Sequence, residues 1–104
     1  MRVRIPPHWH EYDVGDVRTT HVLPAVRETG VWRGQNIQAV HLPGLDGAGM
    51  LAVTLGGWRS FLLPIEGGGY AGGTLVDGVP TALVARMTDA GCVLEVRDAG
   101  EISG

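Results

Sequence analysis

Lysine is absent from this chain of 104 residues, and all eight basic side chains are arginine. Schiff-base chemistry and the phosphate-binding loops of many nucleotide enzymes depend on a lysine, so the sequence excludes those classes. Serine occurs only as Ser60 and Ser103, and neither lies in a G-x-S-x-G pattern. Because no other catalytic signature is present, we expect a protein that is not an enzyme and that carries no cofactor.

Cysteine is almost absent, and long apolar runs are absent altogether. Cys92 is the only cysteine, so no intrachain disulfide and no cysteine-based zinc site can form. We expect it to be a small buried apolar group at the start of a strand.

The longest apolar runs, such as 50–53 and 61–64, fall far short of the roughly 20 residues of a membrane helix. The first residues also lack the apolar run of a signal peptide, so we expect neither secretion nor membrane insertion.

Charge is sparse and slightly acidic. The formal net charge is −3, and the eight arginines are scattered without forming a basic run. A protein that neutralises successive phosphates needs such a run, so nucleic-acid binding is not expected. Charged residues make up 18% of the chain, against roughly 25% in an average domain. This scarcity indicates subunit interfaces, with solvent-exposed glycine loops as the alternative.

The hydrophobic pattern predicts a single β-rich domain over residues 1–104. Short runs with a two-residue period are separated by turn signals such as Gly56-Gly57 and Asp77-Gly78. We expect a mainly β fold, a small sandwich or barrel-like antiparallel meander with at most one short helix, in which residues 1–15 are a candidate N-terminal arm. The predicted strands are 1–5, 36–42, 50–55, 58–64, 74–77, 80–87 and 92–97.

Residues 20–29 can be interpreted as either a helix or a strand. Thr20 can cap a helix, Pro24 suits a first turn where no N–H is needed, and Gly30 suits the position after the last turn. This pattern predicts a short helix. The alternative is an edge strand over 21–26 that proline interrupts.

The segment around Trp9 contains a candidate metal site. His8 and His10 are two residues apart, so on an extended segment both point the same way, and Asp13 or Glu11 is near enough to supply a third ligand. Imidazole and carboxylate groups are the side chains that bind zinc, iron or manganese. The alternative is a structural or interface role for a segment rich in aromatic and histidine residues.

His8-Trp9-His10-Glu11 also resembles the metal motif of the cupin family over this short stretch. The resemblance implies a small metal-binding β-barrel. The cupin pattern places its glutamate several residues after the second histidine, follows a glycine-rich lead-in and adds a histidine late in the domain. Here Glu11 is adjacent to His10, Pro6-Pro7 precede the motif, and no histidine follows His41.

A glycine-rich segment over 66–73 matches the pattern G-x-G-x-x-G at 67–72. In dinucleotide-binding proteins this pattern follows a strand and opens a helix. Here residues 74–78 are typical of a strand and turn, so the match predicts no phosphate site. We expect a connector, or a strand-edge arm that becomes ordered against a partner.

Three aromatic residues, Trp9, Tyr12 and Tyr70, are predicted to lie in an interface with a partner, because aromatic side chains are enriched there. We therefore expect a non-enzymatic structural or interaction subunit, a homo-oligomer or part of a larger complex. The most specific expectation is a phage virion component, such as a capsid-decorating, minor capsid or connector protein, found in the virion or in the cytoplasm of the producing cell. A cupin-like metal-binding barrel and a small acidic inhibitor of a host protein are the alternatives.

Overall fold

The computed structural model describes residues 1–27, 29–45 and 49–102. In these ranges all regular structure is β-strand, and no helix that could cross a membrane is found. The nine strands of the described residues are β1 (Arg2–Ile5), β2 (His10–Leu23), β3 (Val31–Gly34), β4 (Ile37–Leu42), β5 (Met50–Leu55), β6 (Trp58–Pro64), β7 (Tyr70–Val76), β8 (Val79–Thr88) and β9 (Gly91–Glu101).

All neighbouring strands pair antiparallel, in the order β1-β2-β9-β8-β7-β6-β5-β4-β3. The seven strands from β3 to β9 form an uninterrupted meander, and the β1–β2 hairpin joins it through β9. The predicted mainly β, antiparallel meander is confirmed. The predicted bounds of β5 and β6 agree with the structure, because each strand lies between clear turn residues.

The sheet folds into two layers at β6. This strand pairs with β5 over most of its length, but with β7 only through Leu63 and Pro64. The small layer consists of β3 to β6 and packs on the large layer, which contains β2 and β7 to β9. The first core, between the two layers, consists of Leu23, Ile37, Ala39, Leu51, Val53, Leu62, Leu83, Ala85, Cys92 and Leu94.

A second core lies on the opposite side of β8. Here the β1–β2 hairpin folds over β7 and β8, so that Ala82 and Val84 of β8 face it while Leu83 and Ala85 face the first core. Both faces of β8 are therefore buried, which accounts for a run of five buried residues in this strand. The second core consists of Val3, Ile5, Tyr12, Ala71, Ala82 and Val84.

The predicted helix over 20–29 is wrong, and the strand alternative applies to its first part. β2 continues to Leu23, which pairs with Cys92 of β9 and is buried in the first core. Ala25 then forms an isolated bridge with Trp32. The strand ladder to β9 and the burial of Leu23 outweigh the local capping pattern, since helix propensity is a weak prior. Glu28 lies outside the described residues.

The N-terminal segment, which is a candidate arm in the sequence, is part of the sheet. β1 pairs with the start of β2 from Arg2 opposite Asp13 to Ile5 opposite His10. The predicted loop over 66–73 is too long, because β7 begins at Tyr70. Its glycines Gly72 and Gly73 lie inside the strand.

Gly72 and Gly73 let β6 and the β1–β2 hairpin approach β7 closely. An ideal Cβ at Gly72 would lie 2.7 Å from the carbonyl oxygen of Phe61 and 2.9 Å from a methyl of Leu62. At Gly73 it would lie 2.7 Å from Cγ1 of Ile5. Real Cβ contacts of this length force a shift of the neighbours, so glycine is required at both positions.

We expect Gly73→Ala to destabilise the fold, because its methyl group overlaps Ile5 and the carbonyl oxygen of Thr81. Overpacking of this kind costs about 1–3 kcal/mol, which a thermal melt records as a Tm lower by several degrees. Gly100→Ala is the matched control in β9, since no atom lies within 4 Å of its ideal Cβ. Equal Tm values for the two variants would contradict this account of β7.

Candidate interaction site

The β1–β2 hairpin presents Trp9 to solvent. The turn at 6–9 contains a cis peptide bond between Pro6 and Pro7, and Trp9 has a positive φ of 59°. This left-handed conformation is uncommon for a bulky side chain. The side chain nevertheless stays 61% exposed, so burial of the indole does not offset the strain. Strained backbone positions cluster at ligand-binding and active sites, so Trp9 is a candidate contact residue.

The candidate metal ligands are not brought together. His8 and His10 have ring centroids 5.8 Å apart, but Asp13 is three residues beyond His10 and therefore faces the other side of β2. On that side Asp13 and Glu11 form exposed ion pairs with Arg2, both at 3.6 Å. Among the described residues no group of three or more His, Cys, Asp or Glu side chains could hold a metal ion.

The three aromatic residues predicted to lie in an interface have different environments. Trp9 is exposed, Tyr12 is buried in the second core, and Tyr70 is partly buried against the first. The ring of Tyr70 meets that of His41 edge-on, with centroids 6.2 Å apart. Of the three, Trp9 is the most exposed, and Tyr70 also lines a surface cavity beside the loop 67–69.

A groove separates the β1–β2 hairpin from β6. It consists of two adjoining cavities of about 420 and 280 Å³, and both are lined by Arg4, Trp9 and Phe61. The floor is formed by Gly72, Gly73 and their neighbours in β7 and β6. We call this feature the Trp9 groove. It exists because β6 leaves β7 after two paired residues, while β1 covers β7 from the other side.

Ser60 lies at the bottom of the Trp9 groove. Its hydroxyl is buried and donates a hydrogen bond of 3.0 Å to the carbonyl oxygen of Gly73. At this point the β6–β7 ladder has already ended at Leu63 and Ala71. A side-chain hydroxyl thus satisfies a backbone acceptor that the diverging strand leaves without a ladder partner.

The charge of the Trp9 groove is positive, although the whole chain is acidic. Arg2, Arg4 and Arg59 line it, and no Asp or Glu does. Arg2 and Arg4 are partly neutralised by Glu11, with N–O distances of 3.4–3.6 Å. Arg59 has no ion pair with any described residue. The groove therefore offers one uncompensated guanidinium beside two aromatic side chains.

Part of the outer side of the small layer is apolar, beside a polar row of Gln38, Thr54 and Arg59 on the same face. Residues directly opposite in antiparallel strands share a face, so Val40, Ala52 and Phe61 form a continuous row across β4, β5 and β6. Phe61 and Leu63 are 52% and 58% exposed. We call this surface the exposed face; it consists of Val40, Leu42, Met50, Ala52, Phe61 and Leu63.

Phe61, Leu63 and Arg59 were not predicted from the sequence. The signal was present in β6, where 61–64 is an uninterrupted apolar run. A strand with one solvated face alternates apolar and polar residues. In this run the side of the strand opposite Leu62 is apolar as well, which indicates that this side also contacts apolar groups. The pairing of strands is needed to show which neighbours extend that surface.

The glycine-rich loop has no nucleotide-binding geometry. Gly67, Gly68 and Gly69 have positive φ and form the turn between β6 and β7, and the strand that follows begins at Tyr70. A phosphate bound by G-x-G-x-x-G lies at a helix N-terminus. The described residues contain no helix here, so the match at 67–72 has no chemical consequence.

No protein-family model, curated protein sequence or solved structure matches this chain. The Trp9 groove and the exposed face are the surface features that bear on function.

Cys92 is fully buried, and burial raises the pKa of its thiol to about 11. We expect slow alkylation of the native protein at mildly alkaline pH and rapid alkylation in denaturant, because only the thiolate reacts. The unfolded thiol titrates near 9.0, so it loses its proton first. Stability should then fall as pH rises from about 9 toward 11. Fast alkylation of the folded protein, measured by mass spectrometry, would contradict this environment.

Proposed function

We propose that this chain is a non-enzymatic structural or interaction subunit of a larger assembly, and specifically a virion component such as a capsid-decorating, minor capsid or connector protein. The observation that carries the proposal is the exposed face. The inner side of the small layer already packs on the first core. A second apolar side is what a subunit needs to contact a neighbour.

The occupant of the exposed face is a second copy of this chain. The face itself carries no charge, Arg59 lies on the same side of β6 at one end, and Glu66 follows β6 at the other. If two copies pack with their β6 strands antiparallel, Phe61 and Leu63 of one copy lie against the same residues of the other. Arg59 of each copy then lies near the partner's Glu66. A two-fold contact of this kind is self-complementary.

The low charge of the chain supports the same proposal. Only 18% of residues are charged, and subunit interfaces are depleted of charge at their centres. A virion subunit is present in many copies that contact each other, which a self-complementary face permits. Before assembly such a subunit is in the cytoplasm of the producing cell.

Light scattering coupled to size exclusion tests the proposal. We expect a mass that is a multiple of 11.0 kDa and that persists over a wide dilution range. Leu42→Asp should shift the mass to that of the monomer, because the charge would be buried between copies. Leu42 is suitable because it belongs to the exposed face but does not line the Trp9 groove.

Val79→Asp is the matched control for Leu42→Asp. Val79 is an exposed valine in β8, outside the exposed face, so its variant should keep the wild-type mass. A wild-type monomer at micromolar concentration would contradict self-association. A complex of one copy with one host protein would instead favour the inhibitor alternative.

A further inference from the structure

We propose that the Trp9 groove binds an extended acidic peptide segment of a protein partner, which adds a strand to the free edge of β1 and places a carboxylate against Arg59. This site goes beyond the proposed self-association, which uses the exposed face. The two surfaces share Phe61 and Leu63, and Arg59 borders both, so one copy makes one of the two contacts at a time. The groove is also built from the β1–β2 hairpin, which the exposed face does not include.

The edge of β1 offers unpaired backbone groups. β1 is the last strand of the sheet, and among the described residues it pairs only with β2. The N–H of Val14 donates to the carbonyl oxygen of Met1 at 2.9 Å. Since hydrogen-bonded and non-bonded residues alternate in an antiparallel pair, the N–H and C=O groups of Arg2 and Arg4 point away from β2. An exposed edge of this kind is a template for strand addition.

The same two residues line the Trp9 groove, so the free backbone groups are beside the cavity and not elsewhere on the surface. A peptide strand paired with β1 would direct every second side chain into the space between Trp9 and Phe61. Both rings are more than half exposed. Aromatic anchors beside a sheet edge give such a site its selectivity, because alternate side chains of the added strand fill separate pockets.

Charge complementarity selects an acidic peptide. Three arginines and no acid line the groove, in a chain with 11 acidic and eight basic residues. Arg59 is the one without an ion pair among the described residues. A guanidinium binds a carboxylate through two parallel hydrogen bonds, and it stacks on aromatic rings. The groove places the guanidinium of Arg59 beside the aromatic rings of Trp9 and Phe61.

A peptide fits these observations better than a single-stranded nucleic acid. Stacking bases could use Trp9 and Phe61, and phosphates could use Arg59. The backbone of a nucleic acid, however, does not alternate donors and acceptors at the spacing of a strand, so it cannot form a ladder with the edge of β1. The net charge of −3 also opposes the approach of a polyanion, and no basic run extends beyond the groove.

Selection from a displayed library of short random peptides tests the proposal. We expect enriched peptides that combine Asp or Glu with apolar residues at alternating positions. An enriched peptide, synthesised and titrated by fluorescence polarisation, should bind Arg59→Glu roughly 30-fold more weakly or worse, the scale of losing an interface hot spot. N-methylation removes a backbone N–H donor. In an added strand only every second residue donates to β1, so N-methylation of one alternating set of peptide positions should abolish binding and N-methylation of the other set should not.

Two variants separate binding from folding. Arg86→Glu makes the same charge change at an exposed arginine outside the groove, so it should bind the peptide like wild type. Trp9→Asn keeps a residue that tolerates positive φ, so its Tm should be no lower than that of wild type, while peptide binding is lost.

Several outcomes would overturn the proposal. These are the absence of enrichment on both the wild type and the monomeric Leu42→Asp variant, enrichment of neutral or basic peptides, and binding that survives both Arg59→Glu and Trp9→Asn. Tighter binding of an oligodeoxythymidine than of the best peptide would assign the groove to nucleic acid. A monomeric wild type that still binds the acidic peptide would contradict self-association and leave the groove supported.

Discussion

Gly72 and Gly73, in the middle of β7, let side chains from two directions approach the same strand. A methyl group at either position would overlap atoms of Phe61, Leu62 or Ile5. Without this close approach the β1–β2 hairpin could not cover β7 and β8, and the second core would open. The burial of both faces of β8 therefore depends on two residues without side chains.

The surface features follow from the same geometry. Because β6 leaves β7 after two paired residues, its outer residues are not covered by the large layer. Because β1 packs over β7 without pairing to it, one edge of β1 stays free. The Trp9 groove lies between these two strands. The core packing that encloses Tyr12 thus also creates the concave surface beside Trp9.

Part of the candidate site could be predicted from the sequence. The segment around Trp9 is singled out by composition alone, and the structure leaves this residue exposed at a groove. The metal set of His8, His10 and Asp13 fails because strand alternation places Asp13 on the face opposite His10, where it pairs with Arg2. The spacing shows this only once the strand is known to begin at His10. Phe61 and Arg59 were missed, since the apolar run 61–64 indicates a second apolar side of the strand but does not show whether that side is covered.

Local sequence determined the strands and turns of this protein. Apolar runs bounded by Gly56-Gly57 and Asp77-Gly78 specify hairpins, because positive φ is cheap for glycine and tolerated by aspartate. Tertiary structure decided the rest. The segment 20–23 became strand only because Leu23 is buried opposite Cys92, and the groove exists only because distant strands meet. Such contacts join residues far apart in the chain, so no local pattern encodes them.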